Sequence, residues 1–301
     1  MKVFNETETA ALLPIRELIA ALRVAAQQVV DGDIVSPERL VVALRDGGVM
    51  LSMPATSDDI AIHKLVNVNP RNRNEGLPTI HGQVVACDAL SGVMLFQVDG
   101  PTVTGRRTAA VTLLGISCLL PQAPRSVLII GGGTQAGNHV QAIAEVYPDA
   151  VIRVRGSSVQ SAQAFVERFK ASAPNLVVED LAHPSDTEVV ITVTTSKTPV
   201  HFEPARPDCL VIGVGAFTPD AAEICADVIN ASTVYVDDPL GATHEAGDLI
   251  LANIEWARVK SLASALINKP DFSRPIVFKT VGTGAWDLAA CRVIKANLEK
   301  R

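Results

Sequence analysis

The sequence predicts an α/β chain of two domains: a doubly wound parallel sheet and a smaller mixed α+β domain. Three observations predict it. The first third of the chain carries successive strand-like runs joined by turn residues. After "PQAPR" at 121–125, apolar runs alternate with helical stretches, the order of parallel strands with helices on both faces. The first of those later strands runs straight into a glycine-rich turn that opens a helix.

Taken in order, residues 8–31 read as a helix. "RLVVAL" (39–44), "GGVMLSMPA" (47–55), "IAIHKLVNV" (60–68), "GQVVACDA" (82–89) and "GVMLFQVDG" (92–100) read as strands, the last two joined by a hairpin signal at "SG". A helix is expected from Thr104 to Leu120, and "PQAPR" is the domain boundary. Beyond it, strands are expected at 127–130, 151–154, 176–180, 189–194, 209–215, 233–237 and 276–282. A closing helix at 285–300 is expected to return to the first domain. The domains are thus 1–120, completed by 285–301, and 121–284.

Composition bounds the function. Of the 301 residues, 48% are apolar and 19% charged, enough to bury a large core. Aromatics are only 4%, so aliphatic side chains build that core. A net charge of −6 argues against a general nucleic-acid or anionic-membrane binder. The five cysteines are odd in number and lack C-x-x-C spacing, which favours a reduced compartment and no metal site. "MKVFNETETA" lacks an apolar signal core and no run reaches membrane-spanning length, so a cytoplasmic protein is expected.

"SVLIIGGGTQAGNHVQ" places Gly131, Gly133 and Ala136 in G-x-G-x-x-A spacing between a strand and a helix, the Rossmann context. Gly131 allows the tight turn, and Gly133 lets the backbone approach a pyrophosphate. Thr134 and Gln135 begin the helix whose amides face that phosphate. The next strand ends "VIRVRGSSVQ" with no acid for ribose hydroxyls. Arg155, Ser157 and Ser158 there suit a ribose phosphate, which favours NADPH and leaves NADH open.

In "DIAIHKLVNVNP" the side chains two apart share a face, and Lys64 falls among Ile60, Ile62, Val66 and Val68. An ammonium on an apolar face needs a partner. Arg39 begins a strand on the face of Val41 and Ala43. Arg107 falls in the first turn of the expected helix, in line with Ala110, Val111 and Leu114, a position that makes sense beside an anion. Arg106 points a quarter-turn away, toward solvent. Three basic groups on apolar faces favour a carboxylate site.

At these residues the sequence resembles the ornithine cyclodeaminase/mu-crystallin family over nearly its whole length. "SMPA" (52–55), "HKLV" (63–66), "DGPTVTGRRTAAV" (99–111), "GGGTQA" (131–136), "VGAFTPDAAEI" (214–224) and "FKTVGTGAWDLAA" (278–290) stand in the family's order. The resemblance implies a homodimer, each subunit pairing a Rossmann domain with a substrate and dimerisation domain. It implies that Arg39, Lys64 and Arg107 hold a substrate carboxylate, with Arg107 also near the cofactor. It implies that His81 lies close to the cofactor, and that Thr194, Val214 and Thr280 line the nicotinamide pocket.

The family reduces cyclic imino acids, cyclises ornithine or lysine, or acts as an alanine-type dehydrogenase. Cyclodeaminases carry an aspartate just before the proline of a Gly-Gly-Asp or Gly-Ala-Asp context; here Phe217 occupies that place in "GAFTPD". Deamination needs a base to deprotonate an ammonium, whereas reducing a formed imine does not. The expectation is therefore an NADPH-dependent reductase of cyclic ketimine carboxylates, with Lys64 catalytic and Phe217 walling the ring. Asp220 or Glu223 substituting for the missing acid is the competing expectation. Cyclodeaminase, alanine-type dehydrogenase and a low-turnover NADPH-binding protein are the alternatives.

Overall fold

Strands form in the first third where branched apolar residues alternate with polar ones. β1 (Lys2–Val3), α1 (Glu6–Ala11), α2 (Ile15–Asp31), β2 (Leu40–Ala43), β3 (Val49–Thr56), β4 (Ala61–Val68), β5 (Ile80–Cys87) and β6 (Met94–Asp99) precede α3 (Gly100–Leu119). Then follow β7 (Ser126–Ile130), α4 (Thr134–Val146), β8 (Val151–Arg155), α5 (Val159–Phe169), β9 (Leu176–Val178), β10 (Val189–Thr192), β11 (Leu210–Gly213), α6 (Ala226–Asn230) and β12 (Thr233–Val236). The chain ends with α7 (Pro239–Glu245), α8 (Gly247–Leu251), β13 (Lys260–Ser261), α9 (Leu262–Ile267), β14 (Ile276–Lys279) and α10 (Gly284–Glu299). This computed structural model describes residues 1–182 and 186–300. It divides into Met1–Ala110 with Thr283–Arg301, and Val111–Gly282.

The first unit is a six-stranded sheet in the order β1-β6-β5-β4-β3-β2. It is antiparallel except where β1 joins β6. One face buries Leu51, Met53, Ile62, Val66, Val84 and Ala86, with Lys64 among them. Helix α10 packs on α2, β3 and β4. Arg292 of α10 holds it there, reaching Asp59 at 2.7 Å and Gln28 at 2.6 Å. The closing helix thus joins the N-terminal elements, as expected.

Three expectations for this unit need correction. The single helix over 8–31 is two helices, because Pro14 cannot donate the N–H that would continue the first. β2 is an exposed edge, with Leu40 and Val41 more than half exposed, so the face that Arg39 precedes is not buried. The third helix starts at Gly100, not Thr104. Asp99 caps it, accepting from the Thr102 amide at 2.8 Å and hydroxyl at 2.5 Å. Pro101 sits in the first turn, where a missing N–H costs nothing.

The second unit is an eight-stranded sheet in the order β13-β12-β14-β11-β10-β7-β8-β9, parallel at every pairing. β7, β8 and β9 advance one way, and β10 returns to the other side of β7. That reversal is the topological switch of a doubly wound sheet, where ligands bind at the carboxyl ends of the strands. Every strand expected in this half is present; β13 was not anticipated. Among the described residues, no helix is long and apolar enough to cross a membrane.

Gly100 lets α3 meet the sheet. A Cβ there would lie 2.6 Å from the Gly82 carbonyl carbon and 2.7 Å from the Gln83 amide nitrogen, both backbone of β5. Neither atom can rotate away. Gly100→Ala is expected to destabilise the protein by about 1–3 kcal/mol, read from the midpoint of urea unfolding.

Candidate functional site

The first unit gathers the basic residues around one carboxylate. The alternation of β4 turns Lys64 inward, where it is 2% exposed. Its ammonium donates to Asp287 of α10 at 3.2 Å (Oδ1) and 3.0 Å (Oδ2). The partner that the apolar face demanded is therefore inside the chain, not only in a ligand. Arg107 approaches the same carboxylate, its Nε 3.3 Å from Asp287 Oδ1. That distance makes an ion pair, but the N–H is not aligned, so the buried Nε has no hydrogen-bond partner among the described residues.

Arg107 is the eighth residue of α3, two turns in, so the dipole argument for an anion at a helix start does not apply to it. The better argument is its environment. The side chain is 7% exposed, and Asp287 is shared with Lys64. One turn earlier on the same helical face, Thr104 also buries a hydroxyl with no hydrogen-bond partner among the described residues. Arg106 does not run to solvent: its Nε donates to the Leu13 carbonyl at 2.9 Å.

Arg39 is half-buried just before β2. It stands close enough to act on Lys64 electrostatically. Burial pushes the Lys64 ammonium down to about 8, Asp287 opposes the shift, and the charges of Arg107 and Arg39 add to it. Arg39, Lys64 and Arg107 thus share one neighbourhood. His81 does not join them. It pairs with Asn67 across the sheet and projects from the face opposite to Lys64, exposed.

The second unit carries the glycine turn. Gly131 adopts φ +132°, open to glycine alone, and a Cβ there would meet the Val193 carbonyl oxygen at 2.7 Å. The turn therefore presses against the end of β10, at the switch point. Gly133 is the N-cap of α4 and supplies no side-chain cap. A Cβ on Gly133 would touch nothing within 4 Å. The start of α4 thus has open space beside Gly133 and no side-chain cap, and Gln135 buries a side-chain oxygen without a hydrogen-bond partner among the described residues. These features fit a dinucleotide phosphate. Ala136 is fully buried, and Gly137 beside it seats α4 on the Phe169 ring.

Arg155 ends β8, the position that reads the ribose. Its Nε and Nη2 donate to Glu179 at 2.5 and 2.8 Å, and Nη2 also donates to Glu203 at 2.8 Å. Ser158 is committed to capping α5, its hydroxyl accepting from the Ser161 amide at 3.1 Å. Ser157 has only a 3.4 Å contact with the Ser161 hydroxyl.

Two buried acids fix the remaining loops. Glu223 is fully buried and accepts from the Thr194 and Gly215 amides at 2.6 Å each, the Ala216 amide at 3.1 Å and the Thr192 hydroxyl at 3.1 Å. Burial raises its pKa. Asp237 accepts from the Thr280 hydroxyl at 2.7 Å and from the Val281 and Gly282 amides at 2.9 and 3.0 Å. Thr194, Val214 and Thr280 therefore lie on loops clamped at the carboxyl ends of β10, β11 and β14.

Phe217 is 40% exposed beyond β11. Both acids near it are engaged by other groups. Asp220 is held by Lys197 at 2.6 Å and Thr218 at 2.7 Å, and Glu223 is spent on the backbone.

Sequence reasoning missed Asp287, Glu179, Glu203 and Asp237, and it named Glu223 only as a substitute for the absent aspartate. Asp287 carried a readable signal: it is an acid in the first turn of a helix buried continuously from Gly284 to Cys291.

Residues 1–301 match the model of the ornithine cyclodeaminase/mu-crystallin family. The chain is 56% identical over 300 residues to a Delta(1)-pyrroline-2-carboxylate/Delta(1)-piperideine-2-carboxylate reductase of Azospirillum brasilense, covering 99% of this chain and 96% of that one. Its fold is similar to the Thermococcus litoralis Delta(1)-pyrroline-2-carboxylate reductase in complex with NADH and L-proline. That TM-score is 0.90 at 22% identity, covering 100% and 98% of the two chains. It is also similar to an archaeal alanine dehydrogenase dimer with bound NAD, with a TM-score of 0.88 at 22% identity, covering 100% and 97%. The chain belongs to the ornithine cyclodeaminase/mu-crystallin family.

Proposed function

We propose that this protein is an NAD(P)H-dependent reductase of cyclic ketimine carboxylates. It converts Δ1-pyrroline-2-carboxylate to L-proline and Δ1-piperideine-2-carboxylate to L-pipecolate. The observation that carries the reading is Arg107: a buried guanidinium that shares one carboxylate with Lys64 and whose Nε has no hydrogen-bond partner among the described residues. A small ligand carboxylate satisfies it. The 56% identity to a reductase of these two imines supports the same substrate class.

Arg107 and Arg39 hold the carboxylate, and Lys64 keeps a proton at the imine nitrogen. Protonation matters because an iminium accepts hydride better than a neutral imine. The bound NAD(P)H supplies the hydride, which adds to the carbon of the C=N bond while the nitrogen takes up the π electrons. Asp287 orients the Lys64 ammonium and offsets its burial. The glycine turn with Thr134, Gln135 and Ala136 holds the pyrophosphate. Arg155 and Ser157 meet the ribose, and Thr194, Val214 and Thr280 border the nicotinamide. Phe217 walls the ring. No base is needed, in keeping with Phe217 at the aspartate position and with Asp220 and Glu223 engaged elsewhere.

The subunit is read as half of a homodimer in the cytoplasm. The sheet face opposite to Lys64 leaves Leu40, Val42, Met50 and Leu65 each 42–63% exposed, an apolar surface suited to a second copy. Five free thiols suit a reducing compartment.

Three outcomes are expected. Lys64→Ala lowers kcat about 10²-fold or more with either imine, while NADPH binding, read from its fluorescence, is retained. Unchanged turnover would remove Lys64 from the mechanism. In wild type, kcat/KM for the imines falls as pH rises through about 8, where Lys64 loses its proton. A flat profile from pH 7 to about 9 would contradict that assignment. Light scattering finds twice 31.8 kDa for wild type, and Leu65→Glu shifts the mass toward one subunit.

A further inference from the structure

Arg155 is not a bare cation waiting for a phosphate. Glu179 grips it through two hydrogen bonds, and Glu203 takes a third on Nη2. Among the described residues the bonds use Nε and Nη2, not Nη1. The two acids are not equivalent. Glu179 follows β9 with its side chain 11% exposed, an integral part of the sheet's end. Glu203 comes from the segment between β10 and β11, and its side chain is 52% exposed. Burial is the largest influence and alone would raise the Glu203 carboxyl, but the Arg155 hydrogen bond, a backbone hydrogen bond and the charges of His201 and Arg155 together overcome it and hold the pKa at about 2, so the group is ionised. Glu203 thereby sets a negative charge beside the guanidinium that Glu179 already holds.

That charge acts on one feature of the nucleotide. NADPH and NADH differ only in the 2′-phosphate of the adenosine ribose, and the end of the second strand is where that ribose lies. A dianionic phosphate at Arg155 gains the guanidinium but meets two carboxylates. A 2′-hydroxyl meets no such conflict. The charge of Glu203 therefore lowers affinity for one coenzyme and leaves the other nearly untouched.

We propose that Glu203 is a coenzyme-selectivity residue, which by sharing the Arg155 guanidinium weakens its grip on the 2′-phosphate and narrows the preference for NADPH over NADH. Glu203 acts through Arg155 and touches neither the substrate nor the reacting atoms. The inference rests on the nucleotide site described above, but not on which imine is reduced.

Calorimetric titration with adenosine 2′,5′-bisphosphate and with 5′-AMP tests it without turnover, since the two differ only by the 2′-phosphate. Glu203→Gln is expected to tighten the bisphosphate about tenfold and to leave 5′-AMP within about twofold. Arg155→Ala should abolish the bisphosphate's advantage in both backgrounds. The proposal is overturned if Glu203→Gln leaves the ratio unchanged, or shifts both ligands equally, as a merely structural change would. It is also overturned if Arg155→Ala leaves the ratio intact. Parallel assays of imine reduction keep the two readings apart. A shifted binding ratio without imine reduction would remove the proposed substrate and spare Glu203. Imine reduction with an unshifted ratio would do the reverse.

Discussion

One buried carboxylate organises the first unit. Asp287, fully buried, is shared by Lys64 from β4 and Arg107 from α3. Its presence on α10 obliges the C-terminal helix to lie over a sheet made near the N-terminus. An ion pair in an apolar interior adds little net stability, because desolvation offsets the attraction. Losing one partner is another matter, since it strands a charge and costs about 3–5 kcal/mol. The pair is therefore better understood as fixing position than as adding stability. It holds a lysine in place that the sheet would otherwise exclude, and it fixes that lysine beside an arginine whose Nε lacks a hydrogen-bond partner among the described residues.

The second unit applies the same rule to its backbone. Loops at the ends of parallel strands expose amides with no ladder partner. Glu223 collects three such amides from two loops, and Asp237 collects two after β14. Glu223 is anchored in turn: its amide donates to Asp248 at 2.6 Å, and Asp248 lies 2.8 Å from the Lys279 ammonium, both side chains wholly buried. The loops proposed to border the nicotinamide are thus held by charges buried behind them. Such anchoring keeps a site pre-ordered at little entropic cost to the ligand.

What the sequence made legible was local. Period-two alternation placed Lys64 on the buried face, and the strand–turn–helix context placed Gly131 and Gly133 at the start of α4. Local cues also misled. The strand was expected to run through Gly100 and the helix to start at Thr104, which put Arg107 in its first turn. In the structure Gly100 and Pro101 begin the helix, because Asp99 caps it and Gly100 alone fits against β5. What stayed illegible was partnership across the chain. Lys64 and Asp287 lie 223 residues apart. Arg155 meets Glu179 and Glu203 only because the sheet order sets β8 beside β9 and brings the segment after β10 over it. No periodicity encodes such meetings; they follow from topology.

Lys64 also shows why such a residue is retained although it opposes stability. Its pKa falls from 10.5 to about 8 in the folded chain, with burial the leading cause. Between those values the unfolded chain holds a proton that the folded chain has released, so stability rises with pH across that window. Below about 8 both states are protonated, and the folded state carries the full burden of a buried ammonium. The proposed chemistry runs the opposite way, because the imine needs the protonated lysine. The pH range that suits the reaction is the one in which this residue stabilises the fold least. A neutral side chain of similar length would remove the buried ammonium, but it would take a partner from the Asp287 carboxylate and leave the imine nitrogen without its proton.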